Sequence, residues 1–99
     1  QAPAAIAVCA DLDQEASAGY WVQDCAAATQ NILLQARHMG LGTCWLGIYP
    51  REERVEGLKE LLGLPARVMP LALIAVGYPA EEKGPSNRFN PDKIHINKW

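Results

Sequence analysis

Residues 40–47, which read GLGTCWLG, form the segment whose spacing comes closest to a nucleotide-binding loop. It fails both common patterns, because Trp45 takes the third glycine position of GxGxxG and Ile48 stands where a phosphate loop needs lysine. The backbone amides near Trp45, Leu46 and Gly47, with no side chain at Gly47, could instead hydrogen-bond the edge of a flat ring. A strand end softened by glycine is the alternative, and spacing alone favours it.

Arg88 is the second residue whose type suits ligand binding. It follows a turn-rich stretch, residues 83–87, and precedes an ordered C-terminal tail, residues 88–99. A guanidinium offers planar, bidentate donors to a phosphate, and a neighbouring amide such as that of Asn87 can add a hydrogen bond. A solvated surface charge remains the competing interpretation.

The cysteines and histidines form no catalytic or metal-binding pattern. Cys9, Cys25 and Cys44 are odd in number and lack CxxC spacing, which fits neither a disulfide framework nor a zinc finger. No sequence feature places His38 or His95 beside Cys44. We therefore predict reduced, mostly buried thiols in a cytoplasmic protein, with no catalytic side chain and no metal site.

The elements that must position these segments follow a β-α-β-α-β order. Apolar runs predict buried strands over residues 4–9 and 69–76, and residues 40–45 are expected to be extended. Apolar residues repeated every three or four positions predict a long helix over residues 20–39, with Ser17 as N-cap and Gly40 after its end. A short amphipathic helix is predicted between Pro50 and Gly63. Alternation within the C-terminal tail predicts an edge or exchanged strand.

Composition narrows the class of protein. The chain has 99 residues, nine Lys and Arg against eleven Asp and Glu, and 49% hydrophobic residues, which favours one small α+β domain. No apolar run reaches the roughly 18 residues of a membrane helix, and no basic stripe suits nucleic acid or anionic lipid. Ala26, Leu33 and Leu34 lie outside the main apolar stripe of the long helix. This pattern indicates a helix packed on most sides, for example with one side against a second subunit.

Four segments, in their order along the chain, resemble the nitroreductase family of FMN-dependent oxidoreductases. They are the helix at residues 21–36, GLGTCWLG at residues 40–47, the strand ending in VGYP at residues 76–79, and Arg-Phe at residues 88–89 with a terminal Trp. The resemblance implies an α+β fold, here a partial β-α-β-α-β unit with an extended tail, in an obligate homodimer. It implies FMN at the subunit interface, with the tail reaching over the neighbouring subunit. The residues it assigns to the flavin ring are Trp45, Leu46 and Gly47, and those it assigns to the phosphate are Arg88 and, more weakly, Asn87.

The reaction implied by the resemblance is ping-pong. NADH or NADPH reduces the flavin, and a small acceptor such as a nitroaromatic or a quinone then takes the electrons, so the protein needs no acid–base pair. Nothing in residues 1–10 matches the Arg-rich segment near the family's N-terminus, and we therefore expect residues 1–99 to be the C-terminal portion of a single nitroreductase-like domain. A flavin-binding module without turnover and a dimerisation fragment are the alternatives.

Overall fold

The computed structural model describes every residue of the chain, Gln1–Trp99, and confirms the α+β class and the predicted order of elements. The strands are β1 (Ala4–Asp11), β2 (Gly42–Gly47) and β3 (Val68–Gly77). Helix α1 (Trp21–His38) connects β1 to β2, and helix α2 (Glu52–Leu62) connects β2 to β3. No helix of the chain combines the length and the apolar character needed to cross a bilayer.

The three strands form one antiparallel sheet with β3 in the centre, so β1 and β2 are both edge strands. β2 pairs with β3 in continuous register from Gly42 opposite Gly77 to Gly47 opposite Ala72. The β1–β3 register shifts after Val8, where β3 contains one additional residue. Each edge strand therefore has one side whose backbone groups are free of the sheet.

The two helices pack on opposite faces of the sheet. Ala72 lies in an apolar cluster with Cys25 of α1, whereas Leu73 packs against Val55 and Leu58 of α2. Consecutive residues of a strand point to opposite faces, so these neighbours in β3 assign one helix to each face. The sheet is thus the layer that fixes where the ends of both helices lie relative to β2.

Helix α1 begins differently from the prediction. Tyr20 is the N-cap residue and makes no side-chain capping bond, while the Glu15 carboxylate accepts a 3.1 Å hydrogen bond from the Trp21 N–H. The predicted N-cap role of Ser17 is wrong, because Ser17 lies one turn earlier and its carbonyl accepts from the Tyr20 N–H. The helix end is as predicted, with Gly40 at a φ of 76° directly after the C-cap.

The predicted burial of the first strand is also wrong. β1 is partly buried only from Ala7 to Asp11, and Ile6 is 41% exposed. The reason is position, since β1 lies at the edge of the sheet and α1 covers only the end nearest its own first turns. An apolar sequence therefore predicted a strand correctly but could not show which part of it the helices cover.

The C-terminal tail forms no strand within this chain, so the predicted edge strand is wrong, while an exchanged strand stays a prediction. Pro91–Lys93 form a short 3-10 turn capped by the Asn90 side chain, and Ile96 is 82% exposed. Trp99 is fully exposed apart from a stack on His95 with ring centroids 4.5 Å apart. A strand needs a neighbour to accept and donate its ladder hydrogen bonds, and no strand of this chain lies alongside the tail.

The chain buries little of its apolar surface. Only 10 of 99 residues are buried. The radius of gyration is 16.3 Å, whereas about 13 Å is usual for a compact domain of this length. Leu34 on α1, Met39 at the C-cap of α1 and Phe89 in the tail are each more than half exposed. Large apolar side chains left exposed while so few residues are buried leave apolar surface that a partner can cover.

Candidate functional site

The outer edge of β2 presents free backbone donors at Trp45 and Gly47. The Ile48 N–H donates to the Leu71 carbonyl over 3.2 Å, so this pair bonds across the β2–β3 ladder. Hydrogen-bonded and non-hydrogen-bonded pairs alternate in an antiparallel ladder. The N–H and C=O of Trp45 and Gly47 therefore point away from β3, whereas those of Leu46 bond to β3.

The face of the sheet is open at Gly47. A Cβ built on Gly47 would meet no heavy atom within 4 Å. Because a strand rises about 3.4 Å per residue, the two free N–H donors lie about 7 Å apart along the edge. The Trp45 side chain is 38% exposed on the face that it shares with Ile74, its cross-strand partner. The edge can thus receive a flat molecule with acceptor atoms along one side.

Arg54 contacts this edge and was missed by the sequence analysis. Its Nη1 donates a 2.8 Å hydrogen bond to the Gly47 carbonyl from the first turn of α2. The sequence held one signal, since a cation in the first turn opposes the helix dipole and stands directly after Glu52 and Glu53. A residue placed against local helix preference often has a partner elsewhere.

A second missed contact joins the end of β2 to the start of α1. The rings of Trp21 and Tyr49 meet edge to face, with centroids 4.8 Å apart and an interplanar angle of 69°. Tyr49 remains 39% exposed. This pair fixes the position of the turn after Gly47, and no local sequence pattern links two aromatic residues so far apart along the chain.

The structure brings Trp45, Leu46 and Gly47 together on β2 and leaves the phosphate candidates apart from them. Asn87 and Arg88 are both exposed, and neither side chain makes a hydrogen bond or an ion pair within the chain. The Arg88 N–H donates to the Ser86 carbonyl, which shapes the local turn. All the donors of the Arg88 guanidinium are therefore free for a ligand.

The three cysteines differ in exposure. Cys25 is buried and Cys9 is half-buried, but Cys44 is exposed, so the prediction of mostly buried thiols is wrong for Cys44. Cys44 lies on an edge strand that no helix covers at that point. Burial raises the pKa of the Cys9 thiol. Burial also raises the pKa of Cys25, and the negative charges of Cys9 and Asp24 add to that rise.

These differences predict an order of thiol modification. Below pH 9 a disulfide reagent such as dithionitrobenzoate should modify Cys44 first, because the thiolate is the reactive form and the raised pKa values keep Cys9 and Cys25 protonated. Raising the pH should speed modification of Cys9, and Cys25 should react only after unfolding. Mass spectrometry of peptides from a timed reaction measures the order. Modification of Cys25 before Cys44 would contradict the burial described.

Comparison with known proteins places the fold in a family. The sequence model of the "Nitroreductase family" matches residues 1–78. A candidate NADH dehydrogenase/NAD(P)H nitroreductase of Methanothermobacter thermautotrophicus is 52% identical over 98 residues, covering 99% of this chain and 51% of that protein. The chain thus spans about half the length of the curated relatives it matches.

Solved structures agree with the sequence matches. A candidate NADH dehydrogenase/NAD(P)H nitroreductase from Bacteroides thetaiotaomicron is 43% identical with a TM-score of 0.93, covering 100% of this chain and 57% of that one. An FMN-dependent nitroreductase from Clostridium difficile is 30% identical with a TM-score of 0.89, covering 99% of this chain and 59% of that one. The chain therefore belongs to the nitroreductase family.

Proposed function

We propose that the chain is the C-terminal portion of an FMN-dependent oxidoreductase domain that passes electrons from NAD(P)H through the flavin to a small acceptor, such as a nitroaromatic or a quinone. The free edge of β2 at Trp45 and Gly47 is the observation that carries this proposal. The names of its relatives support it, since one is an FMN-dependent nitroreductase and others include NAD(P)H.

The residues at the β2 edge fit a flavin ring. Isoalloxazine is flat and has nitrogen and oxygen acceptors along one side, which matches two outward N–H donors and the open space beside Gly47. When bound, FMN would supply the hydride and electron transfer. The Gly47 N–H would hold the ring edge and stabilise negative charge that develops there, because a fixed donor needs no reorganisation. Arg88 and Asn87 would hold the phosphate.

A homodimer is part of the proposal, with FMN at the interface and the tail over the neighbouring subunit. The exposed apolar side chains of the tail support this arrangement, among them Phe89, Ile96 and Trp99. A partner subunit would also cover the exposed Leu34 on α1 and Met39 at its C-cap. We further propose a cytoplasmic location without nucleic acid or membrane partners, a setting in which three free cysteines stay reduced.

Anaerobic reduction tests the proposed activity. The FMN-loaded protein is mixed with NADH or NADPH, and the visible flavin absorption is followed before and after addition of nitrofurazone or menadione. The proposal predicts bleaching by the nucleotide and recovery with the acceptor. A flavin spectrum that neither nucleotide bleaches would favour a binding module without turnover. Sedimentation as a dimer regardless of FMN, with no flavin retained, would favour a dimerisation fragment.

A further inference from the structure

The contact between Arg54 and Gly47 joins the first turn of α2 to the end of β2. The Arg54 N–H donates to the Arg51 carbonyl over 3.0 Å, so the backbone of this turn is fixed. From there the guanidinium reaches back to the Gly47 carbonyl at 2.8 Å, a length typical of a charge-assisted hydrogen bond. Arg54 forms no ion pair with a carboxylate, which leaves the Gly47 carbonyl as its side-chain partner within the chain.

The peptide between Gly47 and Ile48 is consequently held from both sides. Arg54 binds its carbonyl, and its N–H donates to Leu71 in β3 over 3.2 Å. Gly47 has no Cβ to restrict its backbone angles, so these two hydrogen bonds restrict them instead. The Gly47 N–H belongs to the preceding peptide, whose Leu46 carbonyl bonds to β3. Because the peptides on both sides of Gly47 are held, the backbone angles of Gly47 are restricted and its N–H keeps its direction.

We propose that Arg54 is a positioning residue, whose bond to the Gly47 carbonyl restricts the backbone angles of Gly47 and so keeps its N–H directed toward bound FMN. This inference rests on the proposed function of the β2 edge. Helix stability does not explain why an arginine stands at position 54, because a cation in the first turn is unfavourable next to the positive end of the helix dipole. Removing a residue that orients a ligating group typically lowers affinity by about tenfold or more. We expect a loss of similar size in FMN affinity when the Arg54 guanidinium is removed.

The test compares Arg54→Met, Arg54→Lys and Arg51→Met in the FMN-loaded protein. Arg51 is the matched control, because it lies three residues earlier and its side chain makes no hydrogen bond. Arg54→Met should raise the FMN dissociation constant about tenfold and make the flavin midpoint potential more negative, since the reduced flavin loses a fixed donor. Arg54→Lys should restore most of both, and Arg51→Met should change neither.

A second measurement on the flavin-free protein separates this inference from the proposed function. In backbone NMR spectra, Arg54→Met should shift the Gly47 and Ile48 amide resonances and change few others. Arg51→Met should leave the Gly47 and Ile48 resonances unshifted. Wild-type protein that binds no FMN would overturn the proposed function and the flavin-directed role of Arg54. The amide resonances would still show whether Arg54 contacts the Gly47 carbonyl. An Arg54→Met protein with wild-type affinity and potential would overturn the positioning role, even if its melting temperature fell.

Discussion

Replacing Gly47 by valine is expected to abolish most FMN binding while leaving the fold intact. Nothing lies within 4 Å of a Cβ at this position, and the backbone has no positive φ, so a β-branched residue suits the strand. The same side chain would occupy the space that the ring edge needs. Overpacking of this kind costs about 1–3 kcal/mol, which is roughly a 5- to 160-fold loss of affinity.

Gly57→Val is the matched control for this prediction. Gly57 lies in α2, also has nothing within 4 Å of a built Cβ, and does not contact the β2 edge. Titration followed by flavin fluorescence gives the affinities, and circular dichroism gives the melting temperatures. If Gly47→Val bound FMN as the wild type does, the open space beside Gly47 would not be where the ring lies. A fall in affinity with both variants would indicate a general loss of structure.

Replacing Arg88 by alanine should weaken FMN binding and leave riboflavin binding unchanged. The guanidinium has no partner within the chain, and a charge-assisted hydrogen bond is worth about 2 kcal/mol, or roughly 30-fold in affinity. Riboflavin lacks the phosphate, so its affinity isolates the part of the site that Arg88 does not touch. Asn87→Ala should follow the same pattern with a smaller loss.

Lys83→Ala controls for loss of positive charge near Arg88. Lys83 already pairs with Glu81 at 3.2 Å, and its removal should change FMN affinity little. Parallel titrations of each variant with FMN and riboflavin give the comparison. Equal losses for both flavins in Arg88→Ala would show that the residue supports the structure of the site rather than the phosphate. Unchanged affinity for both would remove Arg88 from the site.

The elements of this fold could be predicted where local sequence determines structure. Gly40 and Gly63 both adopt positive φ after a helix end, as glycine at these positions indicates. β3 was found because an apolar run rich in branched residues is bounded by turn residues, and it is the one strand covered on both faces. The glycine segment is predicted to be extended and forms β2, which ends at Gly47, whereas its role in binding stays a prediction.

The remaining features depend on contacts between distant parts of the chain. Thr29 is fully buried and donates from its hydroxyl to the Cys25 carbonyl over 2.7 Å, although threonine on a helix usually suggests an exposed face. Arg54 reaches Gly47 only because the turn after β2 returns α2 to the strand end. The exposure of β1 and of the tail depends on which elements pack against them. An apolar sequence pattern indicates that a residue can be buried, but it does not show which element covers that residue.

Retention of flavin by the purified protein tests the central claim most directly. The protein is incubated with FMN, desalted, and its visible absorption spectrum is recorded beside that of Gly47→Val. We expect the wild type to keep the flavin bands and the variant to emerge colourless with an unchanged circular dichroism spectrum. A colourless but folded wild type would contradict the account of the β2 edge as a flavin site.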